Sequence, residues 1–256
     1  MEETIIKKYT IYGERCSGTN YLEQLMAANF DISFTSEYGH KHFFGHKQLD
    51  KLDTSDTLFI CIVRHPITWL NSFFREQHHI PNRPISLDQF LFNTWYSVDD
   101  ENHIISEDMR ISILPDESST TPYKNIFEMR FYKHYYLLNI LPRQVKHYIL
   151  IQYENLRDNT NAVLNTISTR FNLTPKQPAY VNIHYYKNMP DKIYDKHITS
   201  EINIPKSIIF LCWKYLNHHQ ERRLGYTVPT PAYSYSHVPK PRGLFLQKIN
   251  SRPNKG

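Results

Sequence analysis

The chain has 256 residues, enough for one sizeable domain with a full core and little room for a second. Its formal net charge is +5, but Lys240, Arg242, Lys248, Arg252 and Lys255 lie in an acid-free stretch over 228–256, so the rest of the body is neutral and general nucleic-acid binding is not supported. Cys16, Cys61 and Cys212 show neither zinc spacing nor a CxxC pair, the N-terminus lacks an apolar signal core, and no apolar run can span a bilayer, which together imply a reduced, cytoplasmic protein without a membrane span.

Thr4–Tyr12 reads as a strand, and apolar residues at Tyr21, Leu22, Leu25 and Met26 place a helix over Asn20–Asn29. Thr57–Val63 is short and almost wholly apolar, the pattern of a strand buried on both faces. Pro66 suits the first turn of a helix whose apolar face is Trp69, Leu70, Phe73 and Phe74. Residues 80–122 are less regular, apart from a helix near Leu87–Tyr96. Lys124–Leu141 reads as a helix ending before Pro142, His147–Gln152 as a second buried strand, and Asn161–Phe171 as a helix. Pro205 opens a last helix carrying Ile208, Ile209, Cys212, Tyr215 and Leu216. Strands alternating with helices predict an α/β three-layer fold of P-loop type, with a mainly parallel sheet flanked by helices. The domain is expected over 1–227, followed by a basic, Pro-rich tail over 228–256. That tail reads as a solvated segment, or as one that folds back onto an anionic ligand.

Strand, then Gly13-Glu14-Arg15-Cys16-Ser17-Gly18-Thr19, then helix puts a glycine-bearing turn at a helix N-terminus. Unpaired amides and the helix dipole make such a turn an anion site. Gly13 and Gly18 keep P-loop spacing, yet Thr19 stands where a nucleotide-binding lysine belongs and Asn20 where the magnesium-binding hydroxyl belongs. A loop lacking both is poorly suited to a nucleoside triphosphate.

Ser17-Gly18-Thr19 resembles the 5′-phosphosulfate loop of sulfotransferases that use 3′-phosphoadenosine 5′-phosphosulfate (PAPS). The resemblance places Arg15 to Asn20 around the donor's 5′ end and Tyr21 where the family has an adenine-stacking tryptophan. Cys16 departs from it, because the family carries a catalytic lysine or arginine there, and Arg15 is the nearest cation to take that role. Arg64-His65-Pro66 with Ser72 resembles the family's R-N-P-x-D-x-x-x-S, whose arginine and serine hold the donor's 3′-phosphate. A planar guanidinium suits that dianion. Between these motifs lies Gly39-His40-Lys41-His42-Phe43-Phe44-Gly45-His46-Lys47. It is similar to a family K-x-H-L-P segment, with His42 as base, His40 in reserve and Lys41 steadying the donor. A solvated loop, or a metal site of His40, His42 and His46, are the alternatives at that segment.

Tyr153-Glu154-Asn155-Leu156 resembles a family Y-E-D-L whose tyrosine approaches adenine, and Leu224-Gly225-Tyr226 resembles the family's closing turn. Lys240-Pro241-Arg242-Gly243 is a weaker counterpart of a later R-K-G turn. The resemblance implies sulfuryl transfer from PAPS, without a metal, to a hydroxyl or amine acceptor: a carbohydrate, a small molecule or a tyrosyl peptide. The rival expectations are an inactive protein that binds a 3′-phosphonucleotide, and a divergent P-loop nucleotide kinase. Acceptor identity and oligomeric state stay open.

Overall fold

Strand β3, Thr57–Val63, is buried at all seven positions, because it lies inside the sheet with a helical layer on each face. The computed structural model describes residues 5–77, 79–83, 85–110, 121–185 and 204–227. Among them β1 (Lys8–Tyr12), β2 (Ser33–Phe34), β3 and β4 (His147–Gln152) form a four-stranded, all-parallel sheet in the order β2-β1-β3-β4. The register pairs Tyr9 with Leu58, and Leu58 with His147.

Alternation along β3 sends its side chains into two cores. Phe59, Cys61 and Val63 join Trp69, Leu70, Phe73 and Leu137. Leu58, Ile60 and Ile62 join Leu22, Leu25, Val163 and Leu164. Each fully buried Leu or Ile contributes about 1.5–3 kcal/mol relative to exposure. The second core is roofed by α1 (Thr19–Asn29) and α7 (Thr160–Phe171). The first is covered by α2 (Pro66–Arg75), α4 (Ile126–Tyr135) and α8 (Lys206–Tyr215).

Several boundaries differ from the sequence reading for physical reasons. β1 begins at Lys8, where its pairing with β3 begins; the Lys7 amide instead donates to the Asp56 carbonyl at 2.8 Å. Helix α3 spans only Leu87–Phe92, opened by a Ser86–Gln89 capping box. Beyond it, Trp95 and Tyr123 exchange backbone hydrogen bonds at 2.7 and 2.9 Å, which draws the chain out of the helix. The helix expected to stop before Pro142 continues instead. After α4 it passes through a wider π turn over Tyr136–Ile140 into α5 (Leu141–Gln144). The Leu141 amide reaches the Tyr136 carbonyl, and Pro142, in the first turn of the next segment, has no N–H to satisfy. Two short helices, α6 (Tyr153–Asp158) and α9 (His218–Arg223), follow β4 and α8. The segment 228–256, with Lys240, Arg242 and the rest of the basic tail, lies outside the described residues. Among the described residues no helix is long and apolar enough to cross a membrane.

Candidate functional site

The turn from β1 into α1 is held open by close packing at both glycines. A Cβ on Gly13 would sit 2.6 Å from the Ser17 hydroxyl and 2.7 Å from the Ile62 carbonyl. Gly18 has φ +99°, and a Cβ there would sit 2.3 Å from the Tyr153 ring. Cys16 also takes a left-handed conformation, φ 61°. Left-handed residues alternating with ordinary ones are the backbone pattern of an anion-binding nest, but the Ser17 amide here donates to the Glu14 carbonyl at 3.1 Å. Gly18 caps α1 without a side-chain hydrogen bond, and the first helical bond runs from the Leu22 amide to the Gly18 carbonyl at 3.0 Å. The first-turn amides therefore lack intrahelical acceptors.

The loop's side chains are buried or half-buried throughout. Ser17 is buried and donates to the Glu14 carbonyl at 2.7 Å. Thr19 is buried as well. Arg15 turns inward too, contrary to its expected place at the donor's 5′ end. Its Nη2 pairs with Asp108 at 3.0 Å and bonds Ser97, and the guanidinium lies over the Phe73 ring. Lys133 pairs with the other Asp108 oxygen and donates to the His42 carbonyl at 2.8 Å. Asp108 is fully buried between the two cations. Tyr21 is also committed elsewhere. It is 5% exposed in the second core, and its hydroxyl is held by Thr160 at 3.2 Å and Asn182 at 3.0 Å.

Arg64 meets the loop at Cys16, where its Nη1 donates to the Cys16 carbonyl at 3.0 Å; Ser72, on α2, is close enough to pull the Cys16 thiol down weakly. Burial pushes that thiol up to about 11, despite the opposing pull of Arg64 and Arg15. It is therefore neutral at neutral pH. The placement follows from α2, where Pro66 fixes the first turn. Trp69 and Phe73 face the core while Thr68 and Ser72 stay on the half-buried side. Arg64 also lies over the Tyr153 ring, 4.7 Å from its centroid.

The histidine segment is tied to the same loop. The Gly13 amide donates to the Lys41 carbonyl at 3.0 Å, and the His42 Nδ1 donates to the Gly13 carbonyl at 2.8 Å. A carbonyl only accepts, so the proton sits on Nδ1 and the lone pair on Nε2. Burial holds the His42 imidazole well below its usual range, the Gly13 bond notwithstanding. His40 accepts from the His42 amide at 3.3 Å and stacks on Phe43. The Lys41 ammonium reaches Asn20 at 2.6 Å and Glu23 at 2.8 Å, at the start of α1. Among the described residues no group of three or more His, Cys, Asp and Glu side chains is arranged to hold a metal ion; His40, His42 and His46 form none.

Sequence reasoning missed the buried charges beneath the site. Arg130 grips Glu221 through two bonds at 2.7 and 2.9 Å, Glu14 at 2.9 Å and the Arg64 carbonyl at 3.0 Å. Thus one guanidinium joins the first loop, the second motif and α9. Burial works against its charge, but Glu221 and Glu14 outweigh it and hold Arg130 above its usual range. Glu14 is held below its usual range: burial opposes this, and His134 and Arg130 override it. Glu154 accepts from the His65 amide and from the Tyr226 hydroxyl, both at 2.9 Å, which locks Leu224-Gly225-Tyr226 onto the second motif. A signal for part of this network exists in the sequence: Arg130, Lys133 and His134 share the inward stripe of α4 with Ile126, Phe127 and Met129. Cations on an apolar stripe need buried partners. No protein-family model matches this sequence, and a search of the curated proteins finds no match.

Proposed function

We propose that this protein is a PAPS-dependent sulfotransferase. The observation that supports it most is the hydrogen bond from Arg64 to the Cys16 carbonyl, which brings the segment that resembles a 3′-phosphate motif against the loop that resembles a 5′-phosphosulfate loop and lacks the lysine and hydroxyl of a nucleoside triphosphate site. In this reading the loop amides hold the 5′ end of the donor, and Arg64 with Ser72 holds its 3′-phosphate. Lys41, at the α1 N-terminus, is the cation closest in role to the family's lysine, since Arg15 is committed to Asp108. His42 takes the acceptor's hydroxyl proton on Nε2. The acceptor oxygen then bonds to sulfur, the bond from sulfur to the bridging oxygen breaks, and that electron pair leaves on the 5′-phosphate of adenosine 3′,5′-bisphosphate.

Calorimetry on the full chain tests this reading. Adenosine 3′,5′-bisphosphate should bind more tightly than AMP or ADP, with or without magnesium. Equal affinity for AMP removes the 3′-phosphate site, and magnesium-dependent ATP turnover favours a kinase. Cys16 in place of a lysine, with Arg15 turned inward, favours a second reading: a protein that binds the 3′-phosphonucleotide without turnover. Donor binding with no sulfuryl transfer across a broad acceptor panel selects it.

A further inference from the structure

Tyr153 sits at the meeting point of the two motifs, and its surroundings differ from those of an open stacking platform. The Cδ2–Cε2 side of its ring lies against Gly18 so closely that a Cβ there would come within 2.3 and 2.8 Å of those atoms. The Arg64 guanidinium carbon lies 4.7 Å from the ring centroid, and that of Arg157 lies 5.8 Å away. Two cations and a loop backbone therefore already occupy the ring's neighbourhood. The same Arg64 is fixed at its far end by the Cys16 carbonyl at 3.0 Å, and its Nε meets the Thr68 hydroxyl at 3.4 Å. A guanidinium held over an aromatic face loses much of its rotamer freedom before any ligand arrives.

From this geometry we infer that Tyr153 is a positioning residue: its ring holds Arg64 over the loop, ready for the 3′-phosphate, and does not serve as the adenine platform. The inference rests on the donor reading above and sharpens it, because it assigns 3′-phosphate selectivity to a pair of residues and not to Arg64 alone. It also makes the Gly18–Tyr153–Arg64 stack a single unit, in which the 5′ loop sets the position of the 3′ arginine.

The test is calorimetry on the full chain with adenosine 3′,5′-bisphosphate and AMP as probes. Tyr153→Phe keeps the ring face and should bind both probes as the wild type does. Tyr153→Leu should weaken the bisphosphate by about tenfold, which is 1.4 kcal/mol, and leave AMP unchanged. In an Arg64→Ala background, Tyr153→Leu should have no further effect on either probe. Pentafluorophenylalanine at position 153 keeps the ring's size but removes its electron-rich face. It should reproduce the selective loss even if the Leu variant folds poorly. Equal losses for both probes that persist without Arg64 would mean adenine stacks on the ring, and this inference fails while the donor reading stands. A fluorinated ring that leaves bisphosphate affinity unchanged overturns it as well. If wild type does not prefer the bisphosphate over AMP, the donor reading itself falls, and this assignment with it.

Discussion

Arg64 carries the largest single expectation at the scale of the residue. Its guanidinium is already preorganised by Cys16, Thr68 and Tyr153, so little ordering is needed to meet a dianion. Arg64→Ala should cost about 2–4 kcal/mol in bisphosphate binding, as for a broken charged pair, and leave AMP nearly untouched. A similar loss for both ligands in calorimetry would make Arg64 a structural residue. His42 is the second. Its Nδ1 proton is pinned by Gly13 and burial lowers its affinity for another proton, so Nε2 is a free base at neutral pH. Turnover that needs this base is lost as pH falls through the folded-state value, which lies well below 6.5. The acidic limb of the kcat/KM profile should therefore fall below pH 6.5. His42→Ala should lower turnover by roughly a hundredfold or more and leave donor affinity almost unchanged. If His40→Ala abolishes turnover while His42→Ala retains it, the base moves two residues.

At the scale of the element, α4 is the part on which the site rests. It places Arg130 under the first loop and second motif, and Lys133 against the histidine segment. Asp108, from the irregular chain before it, neutralises both Lys133 and Arg15 while fully buried. Removing one partner of such a cluster leaves charge unpaired in a poor solvent, which costs about 3–5 kcal/mol. Asp108→Asn should destabilise the fold by that order in a denaturant titration. Arg15→Met added to it should cost much less than in the wild type, because the two changes share one interaction. Additive effects would show that the pair is not coupled. Arg130→Lys should also be severe, since an ammonium cannot reproduce the two-pronged grip on Glu221 together with the bonds to Glu14 and the Arg64 carbonyl.

Across the whole molecule, what was legible in the sequence follows from how local each cause is. β3 was legible to the residue because a strand buried on both faces is written as a nearly unbroken apolar run, and β4 because its apolar centre over Tyr148–Ile151 is bounded by the polar His147 and Gln152. The loop and the Arg64–Ser72 spacing were legible because each motif is contiguous. Asp108, Ser97, Arg130 and Glu221 were not, since the contacts that tie them to the loop and to α9 join distant segments: Arg15 lies 82 residues from Ser97 and 93 from Asp108, and Arg130 lies 91 from Glu221 and 116 from Glu14. The inward turn of Arg15 was hidden for the same reason. The π turn was hidden because Pro142 reads as a stop unless the wider turn ahead of it is known. These distant contacts also fix how the molecule responds to acid. His65 is held down to about 3, first by burial and then by Arg130 and Arg64, while an unfolded chain would protonate it near its ordinary 6.5. A depressed group stabilises the fold above its unfolded value, and that contribution drains as pH falls from about 6.5 toward 3. His42 acts in the same direction, and Glu14 follows below its ordinary 4.5. No opposing shift is seen among these three, so the denaturation midpoint should fall steadily between pH 7 and pH 4. His65→Asn removes one of the titrating groups and should flatten the part of that slope between 6.5 and 4, whatever it does to stability at pH 7. A midpoint that holds level from pH 7 to pH 5 in the wild type, or a slope unchanged in His65→Asn, would mean that His65 is not kept neutral by Trp213, Tyr226 and the two arginines around it.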